Sequence, residues 1–127
     1  MIAVKSTYLR QAIIKHVLAE ASYTAPTNLY LALYTNDPTI ADTGTEVTGG
    51  SYARQLLSFA NASGGSKTSN TSETFTSMPA TTVTHWGIRD ASSGGNLLYF
   101  GAFDLPIALD ATDNLPINSG DIVIGEV

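Results

Sequence analysis

The segment NLYLALYT (residues 28–35) restricts the fold more than any other stretch of this chain. Successive residues of a β-strand point to opposite faces of the sheet, so the three leucines of the segment share one face and Tyr30, Ala32 and Tyr34 share the other. Both faces are largely apolar. Since a strand with two apolar faces must be covered on both sides, the segment predicts a central strand of a layered β-fold.

A second pair of alternating segments predicts a β-hairpin. TTVTHWGIRD (81–90) and NLLYFGAFD (96–104) are separated by ASSGG (91–95), whose glycines tolerate a positive φ. Strict alternation places Trp86 and Ile88 on one face of the first strand and the odd-numbered residues from Val83 to Arg89 on the other.

A helix is predicted over residues 6–20, STYLRQAIIKHVLAE, with Ser6 as its N-cap. Apolar residues recur at helical spacing, which indicates an amphipathic helix that buries its apolar side. The stripe consists of Leu9, Ile13 and Val17, widened by Ile14 and Leu18.

The remaining segments complete a mainly β, antiparallel fold. SYARQLLSFA (51–60) predicts another strand, NASGGSKTSNTS (61–72) a mobile loop, and DIVIGEV (121–127) a closing strand. We therefore expect one domain over residues 1–127, with a helix at 6–20 and a β-sandwich or jelly-roll-like arrangement over 28–127.

Composition limits the classes of function. There is no cysteine, so disulfides and thiol chemistry are excluded, and only 13% of residues are charged, about half the usual share. The net charge of −5 argues against nucleic acid as a partner. No segment has the ~20 apolar residues of a membrane span and no signal peptide is visible, which predicts a soluble, unexported chain without a membrane partner.

Charge is distributed unevenly along the chain. Lys5, Arg10 and Lys15 lie in the first sixteen residues, which contain no acid. The last quarter contains no base, and its acids are Asp104, Asp110, Asp113, Asp121 and Glu126. The basic residues form either a solvated surface or a face that docks on an acidic neighbour.

Two polar loops, 36–50 and 61–72, are a further candidate interface, and here Asp37, Thr43 and Glu46 are the residues that we select. Together with Lys5, Arg10 and Lys15 they form the predicted set of contact residues. The low charge of the chain favours such contacts, because few charges have to leave water.

The polar stretch HWGIRDASSGG (85–95) has the residue types of a hydrolase but the wrong arrangement. His85 and Asp90 are five residues apart on a strand, so their side chains leave opposite faces and cannot form a base–acid pair. No helix follows the glycines to hold a phosphate. We predict no catalytic residue and no enzyme activity.

The residues that could hold a metal, a cofactor or a sugar are few. There are only two histidines, and the spacing of Asp110, Asp113 and Asp121 matches no calcium loop, so no metal or cofactor is predicted. Trp86 and Tyr99 could form a sugar-stacking platform, although aromatic residues buried in a sandwich core are commoner.

Three blocks of the sequence, SYTAPTNLYLALYTNDPT (22–39), DTGTEVTGGSYARQ (42–55) and VTHWGIRDASSGGNLLYFG (83–101), occur together with the N-terminal helix and a closing strand. In this combination the chain resembles a family of small virion proteins of tailed bacteriophages, labelled tail fibre or head-associated structural proteins. It departs from the family at Trp86, where Phe is expected, and at Arg89, where an apolar residue is commoner.

The resemblance implies a non-enzymatic structural subunit of the virion, assembled in the cytoplasm of a bacterial host. The expectation is a capsid cement or decoration protein, a homotrimer whose partner is the major capsid protein or another virion protein. A tail-associated fibre or adaptor is the alternative, and a carbohydrate-binding module is a third.

Overall fold

The computed structural model describes residues 3–125, and in this range the chain is mainly β, with antiparallel sheets and one helix. Most of the β-structure lies after residue 28, as predicted. The elements are β1 (Val4–Lys5), α1 (Thr7–Val17), β2 (Leu29–Tyr34), β3 (Gln55–Leu57), β4 (Ser66–Thr68), β5 (Glu73–Phe75), β6 (Thr81–Arg89), β7 (Leu97–Leu109), β8 (Leu115–Ile117) and β9 (Val123–Gly125).

The largest sheet has five strands in the order β1-β7-β6-β2-β3, with antiparallel pairing throughout. β2 lies between β6 and β3 and is covered on both faces, as its alternation predicts. On one face Leu31 and Leu33 are fully buried, and on the other Ala32 and Tyr34 are at most 1% exposed. The interior position of this strand is therefore confirmed.

The hairpin of β6 and β7 is also confirmed. Gly94 and Gly95 in its loop have φ values of +63° and +70°, the left-handed conformation that glycine adopts without strain. One detail is wrong. The register shifts between Val83 and His85, so that Val83 joins Trp86 in the core instead of facing the other way. A β-bulge adds one residue to a strand and reverses the alternation beyond it.

Two small sheets, β4-β9 and β5-β8, cover the leucine face of the large sheet and make the fold a sandwich. Phe75, Ile117 and Ile124 from these sheets pack into one core with Leu33 and Trp86. The jelly-roll-like connectivity stays a prediction.

Two segment predictions need correction. Only Gln55–Leu57 of the segment 51–60 is a strand. The segment 61–72, expected to be a mobile loop, contains β4, which pairs with β9 in the register Lys67↔Ile124. Ser69 follows β4, is 2% exposed and accepts hydrogen bonds from the amides of residues 120 and 122. The partners lie more than 50 residues away in the chain, so local composition carries no sign of this pairing.

Helix α1 begins where the sequence predicts and ends three residues earlier. The hydroxyl of Ser6 accepts a hydrogen bond from the amide of Leu9. At the other end Ala19 adopts φ +63°, and the amides of Ala19 and Glu20 donate to the carbonyls of His16 and Lys15. These two bonds define a Schellman motif, which stops the helix.

The expected burial of the helix is wrong over its second half. Leu9 is 4% exposed, but Ile14, Val17 and Leu18 are 59%, 69% and 73% exposed. Among the described elements α1 packs mainly on β7. The helix is therefore anchored by its first turns, and its apolar C-terminal half faces solvent.

Candidate interaction surface

The polar stretch at 85–95 is organised by Arg89, which is only 7% exposed. Its guanidinium makes a bidentate pair with Asp42, both N–O distances being 2.8 Å. It also donates to the hydroxyl of Tyr34 at 2.9 Å and to the carbonyls of Gly94 and Gly95 at 3.3 and 3.0 Å. All five guanidinium donors are thereby used.

A second arginine, Arg54, holds the same loop. Arg54 makes a bidentate pair with Glu46 at 2.8 and 2.9 Å, and donates to the carbonyls of Ala91 and Gly94 at 2.8 Å. The hydroxyl of Tyr52 donates to the same Glu46 carboxylate at 2.6 Å. The two arginines tie the 36–50 excursion and the approach to β3 to the hairpin loop.

Protonation in this cluster follows from burial and hydrogen bonds. Burial alone raises the pKa of Glu46, but hydrogen bonds from Arg54 and Tyr52 outweigh it and hold that pKa below its ordinary value. Burial, followed by the hydrogen bond to Glu46, raises the pKa of Tyr52, and burial also raises the pKa of Tyr34. At neutral pH Glu46 is therefore ionised in its pair with Arg54, and Tyr34 and Tyr52 are neutral phenols.

The residues of a hydrolase are not brought together. His85 shares a 2.8 Å hydrogen bond with the hydroxyl of Thr84, while Asp90 accepts from the amide and side chain of Asn96 at 2.7 and 3.0 Å. Within residues 3–125 no group of three or more potential ligands is placed to hold a metal ion. No helix in the same range has the length and apolar character to cross a membrane.

The predicted interface residues of the 36–50 loop serve mainly to shape that loop. The carboxylate of Asp37 accepts from the amide of Thr39 at 2.9 Å, and the hydroxyl of Thr43 pairs with that of Thr39 at 2.8 Å. Asp37 and Thr43 are still exposed. Glu46 is half-buried in its pair with Arg54, so its carboxylate is already engaged within the chain.

The predicted basic residues lie at one end of the molecule, on and before α1. Lys5 is half-buried in β1, opposite Tyr99 of β7. Arg10 is exposed on the helix, and Lys15 lies 3.9 Å from Glu20. Contact of these three residues with a neighbouring protein stays a prediction.

An apolar groove beside α1 was not foreseen. It has a volume of about 530 Å³ and lies at the end of the sandwich, where α1 faces the segment after it, the large sheet and the β4-β9 sheet. Its lining includes Ile13, Tyr23, Leu29, Phe59 and Ile124. The excess of apolar residues on the predicted helix was the available signal, because the helix has more apolar positions than one buried face requires.

The hypothesis of a sugar-stacking platform is wrong for Trp86. Trp86 is completely buried in the core of the sandwich, so no sugar can stack on it. Where the resemblance predicts Phe, the larger ring of Trp86 therefore occupies core volume and not surface.

The family model described as "Podophage GP4 fiber I protein gp80" matches residues 4–125, which is nearly the whole chain. The chain belongs to this fibre protein family. No curated protein sequence matches it.

Membership of the gp80 fibre family makes this chain a structural protein of a bacteriophage particle, found in the virion together with other virion proteins. A structural family agrees with the separate engagement of His85 and Asp90. The two closed ion pairs at the hairpin loop are thus part of the frame of a virion subunit.

Proposed function

We propose that this chain is a tail-associated fibre subunit, which acts by contact with neighbouring virion proteins and has no enzymatic role. The observation that carries the proposal is the match to a fibre protein family over residues 4–125. The number of copies per particle tests the tail location.

The physical properties of the fold support a role in contact. The charges of Arg89 and Arg54 are paired within the chain, with Asp42 and Glu46, so a neighbouring protein does not have to supply their counter-charges. These pairs also hold the loop 91–95 against the excursion 36–50, which gives that end of the molecule a defined shape. A preformed surface loses little conformational entropy on binding.

The contact residues that we propose are the basic set Lys5, Arg10 and Lys15, which docks on an acidic neighbour, and the exposed loop residues Asp37 and Thr43. Glu46 contributes by holding its loop, through Arg54, and not by contacting the neighbour itself. Assembly of the subunit as a homotrimer is part of the proposal.

A capsid cement or decoration protein is the second candidate. The observation that favours it is the low share of charged residues, 13%, since a surface of small polar groups is desolvated at little cost. On a symmetric shell many weak contacts of this kind add up to firm attachment.

Copy number separates the two candidates. The chain is quantified by mass spectrometry in purified virions, relative to the major capsid protein. A ratio equivalent to a few to some dozens of copies per particle supports the tail-associated fibre, and hundreds of copies support the cement protein instead. Absence from purified particles refutes both.

A further inference from the structure

The second half of β7 is an open edge of the large sheet. β6 pairs with one side of β7 as far as Thr81↔Leu109, but β1 pairs with the other side only at Tyr99 and Phe100. Among residues 3–125 no strand lies along that second side from Asp104 to Leu109. Pro106 has no amide hydrogen and acids stand at both ends of this segment, which disfavours the addition of another β-strand, so the edge is open to a partner that docks through side chains.

This edge carries acidic and apolar side chains. Leu105, the residue after Asp104, is 76% exposed, and Asp104 and Asp110 at the two ends of the segment are exposed as well. We call Asp104–Asp110 the acidic edge. Symmetric antiparallel pairing of two copies about Ile107 would place Asp104 directly opposite Asp110, and like charges in such positions are destabilising. The charges therefore favour a basic partner over a second acidic edge.

A complementary surface lies on α1. Ile14, Val17 and Leu18 have the i, i+3, i+4 spacing of a single helix face and are 59–73% exposed. Arg10 lies one turn before Ile14 on that side, and Lys15 is next to it in the chain. We call these five residues the basic ridge. The two cations of the ridge can pair with Asp104 and Asp110, and its apolar side chains can cover Leu105, which alternation turns to the other face but which the edge position leaves accessible.

The two surfaces of one chain do not cover each other, since Leu18 and Leu105 are 73% and 76% exposed in the single chain. β1 runs antiparallel to β7, so the chain enters α1 heading away from Asp104, and the amide of Ser6 donates to the carbonyl of Leu98 at the beginning of β7. Asp104 to Leu109 lie six to eleven residues farther along the strand, which at about 3.3 Å per residue is roughly 20–36 Å from Leu98. Contact between ridge and edge therefore needs a second copy.

We propose that copies of this chain associate head to tail, the basic ridge of one docking on the acidic edge of the next. A contact between two different surfaces gives a closed ring when its rotation closes and a filament when it does not. The inference rests on the proposed function, because it names the acidic neighbour of the fibre subunit as another copy, and the proposed trimer is the ring of three.

Charge reversal at each surface tests the inference in solution. Arg10→Glu spoils the ridge and leaves the edge intact, whereas Asp104→Lys does the opposite. We expect the wild type to sediment well above the 13.4 kDa of one chain, and each variant to sediment as a monomer at the same concentration. An equimolar mixture of the two variants regains 1:1 complexes, because each provides the surface that the other lacks. Lys67→Glu, at an exposed residue outside both surfaces, is the matched control and assembles like the wild type.

Variants that assemble like the wild type, or a mixture that stays monomeric, overturn the inference. A monomeric wild type overturns it and the proposed trimer together, but leaves the place of the protein in the virion to the copy-number measurement. The failures of the two proposals are thus distinguishable.

Cross-linking gives an independent readout, since the chain has no cysteine. Leu18 and Leu105 are both highly exposed, so Leu18→Cys and Leu105→Cys leave the core undisturbed. A size tag on one of the two variants separates the three possible disulfide-linked dimers on a non-reducing gel. After mixing and mild oxidation we expect the mixed disulfide between the two variants to exceed both homodimers. Predominance of the Leu105→Cys homodimer would instead mean symmetric pairing of acidic edges, and would refute the head-to-tail contact.

Discussion

The ion pair between Arg89 and Asp42 allows a quantitative test of how the hairpin loop is held. The perturbation is Arg89→Met, Asp42→Asn and the combination of both. Methionine retains the apolar stem of arginine without its charge. Asparagine is chosen because Asp42 has φ +58°, a conformation that asparagine tolerates well.

The expected cost of each change follows from what it leaves unpaired. Arg89→Met leaves the buried hydroxyl of Tyr34 without its donor, while the carboxylate of Asp42, 36% exposed, can rehydrate. We therefore expect a loss of about 3 kcal/mol in the free energy of unfolding, the lower end for breaking a buried pair. Asp42→Asn removes the counter-charge of a guanidinium only 8% exposed, which costs about 2 kcal/mol.

The double variant distinguishes a coupled pair from two independent side chains. Once Arg89 is gone the charge of Asp42 has nothing to bind, so the double variant loses about 3 kcal/mol and not the sum of about 5 kcal/mol. The coupling energy is then about 2 kcal/mol.

Urea unfolding compares the wild type with the three variants. Trp86 is the only tryptophan and is fully buried, so its fluorescence reports global unfolding. Additive costs, with a coupling energy below about 0.5 kcal/mol, would refute the view that Arg89 and Asp42 act as one unit.

Three further predictions concern the same frame. Glu46→Gln should weaken the dependence of stability on pH on the acid side. The pKa of Glu46 is lowered from 4.5 in the folded chain, so its stabilisation is present above pH 4.5 and is lost as pH falls through the lowered pKa. A stability difference between wild type and variant that does not shrink in acid contradicts this. Gly95→Ala should lower the free energy of unfolding in urea more than Gly64→Ala does. Both glycines have a positive φ, but only at Gly95 would the new Cβ lie 2.5 Å from a carboxylate oxygen of Asp90. Equal losses would show that this close approach is immaterial. Ala19→Gly should stabilise the chain by about 1 kcal/mol and so raise the thermal midpoint, because glycine adopts φ +63° without strain. A lowered midpoint would count against the Schellman motif at the end of α1.

The parts of the fold that the sequence predicts correctly are those set by local pattern. The two apolar faces of 28–35 require an interior strand, and β2 is one. The glycines of 91–95 allow a tight connection between two alternating strands, and β6 and β7 meet there. Ser6 has the chemistry of an N-cap and serves as one.

The errors have a common cause in long-range pairing. Composition predicts a loop where β4 lies, because the strand character of β4 comes from β9, far along the chain. Alternation places Val83 on the wrong face because a bulge depends on the register with β7, and β6 alone has no information on it. Helical periodicity predicts burial along the whole of α1, although the helix meets the sheet only through its first turns.

The candidate contact residues show the same difference between local and long-range determinants. Arg10 and Lys15 can be chosen from the sequence because the charge of a surface side chain is a property of the residue itself. The partners of Glu46 and Arg89 cannot be found in this way, since a carboxylate and a guanidinium that are 8 or 47 residues apart show no local sign that they will meet.

The sequence by itself determined the class of this protein: a low-charge, cysteine-free β-sandwich with one helix, resembling phage virion proteins. The alternation of apolar residues and the residue types of turns depend on near neighbours in the chain, so both can be recognised from the sequence. Only the tertiary structure decided which surfaces remain for partners. Burial and strand pairing depend on the positions of segments that are distant in the chain, and that arrangement joined two ion pairs within the chain and left the basic ridge and the acidic edge exposed on the surface.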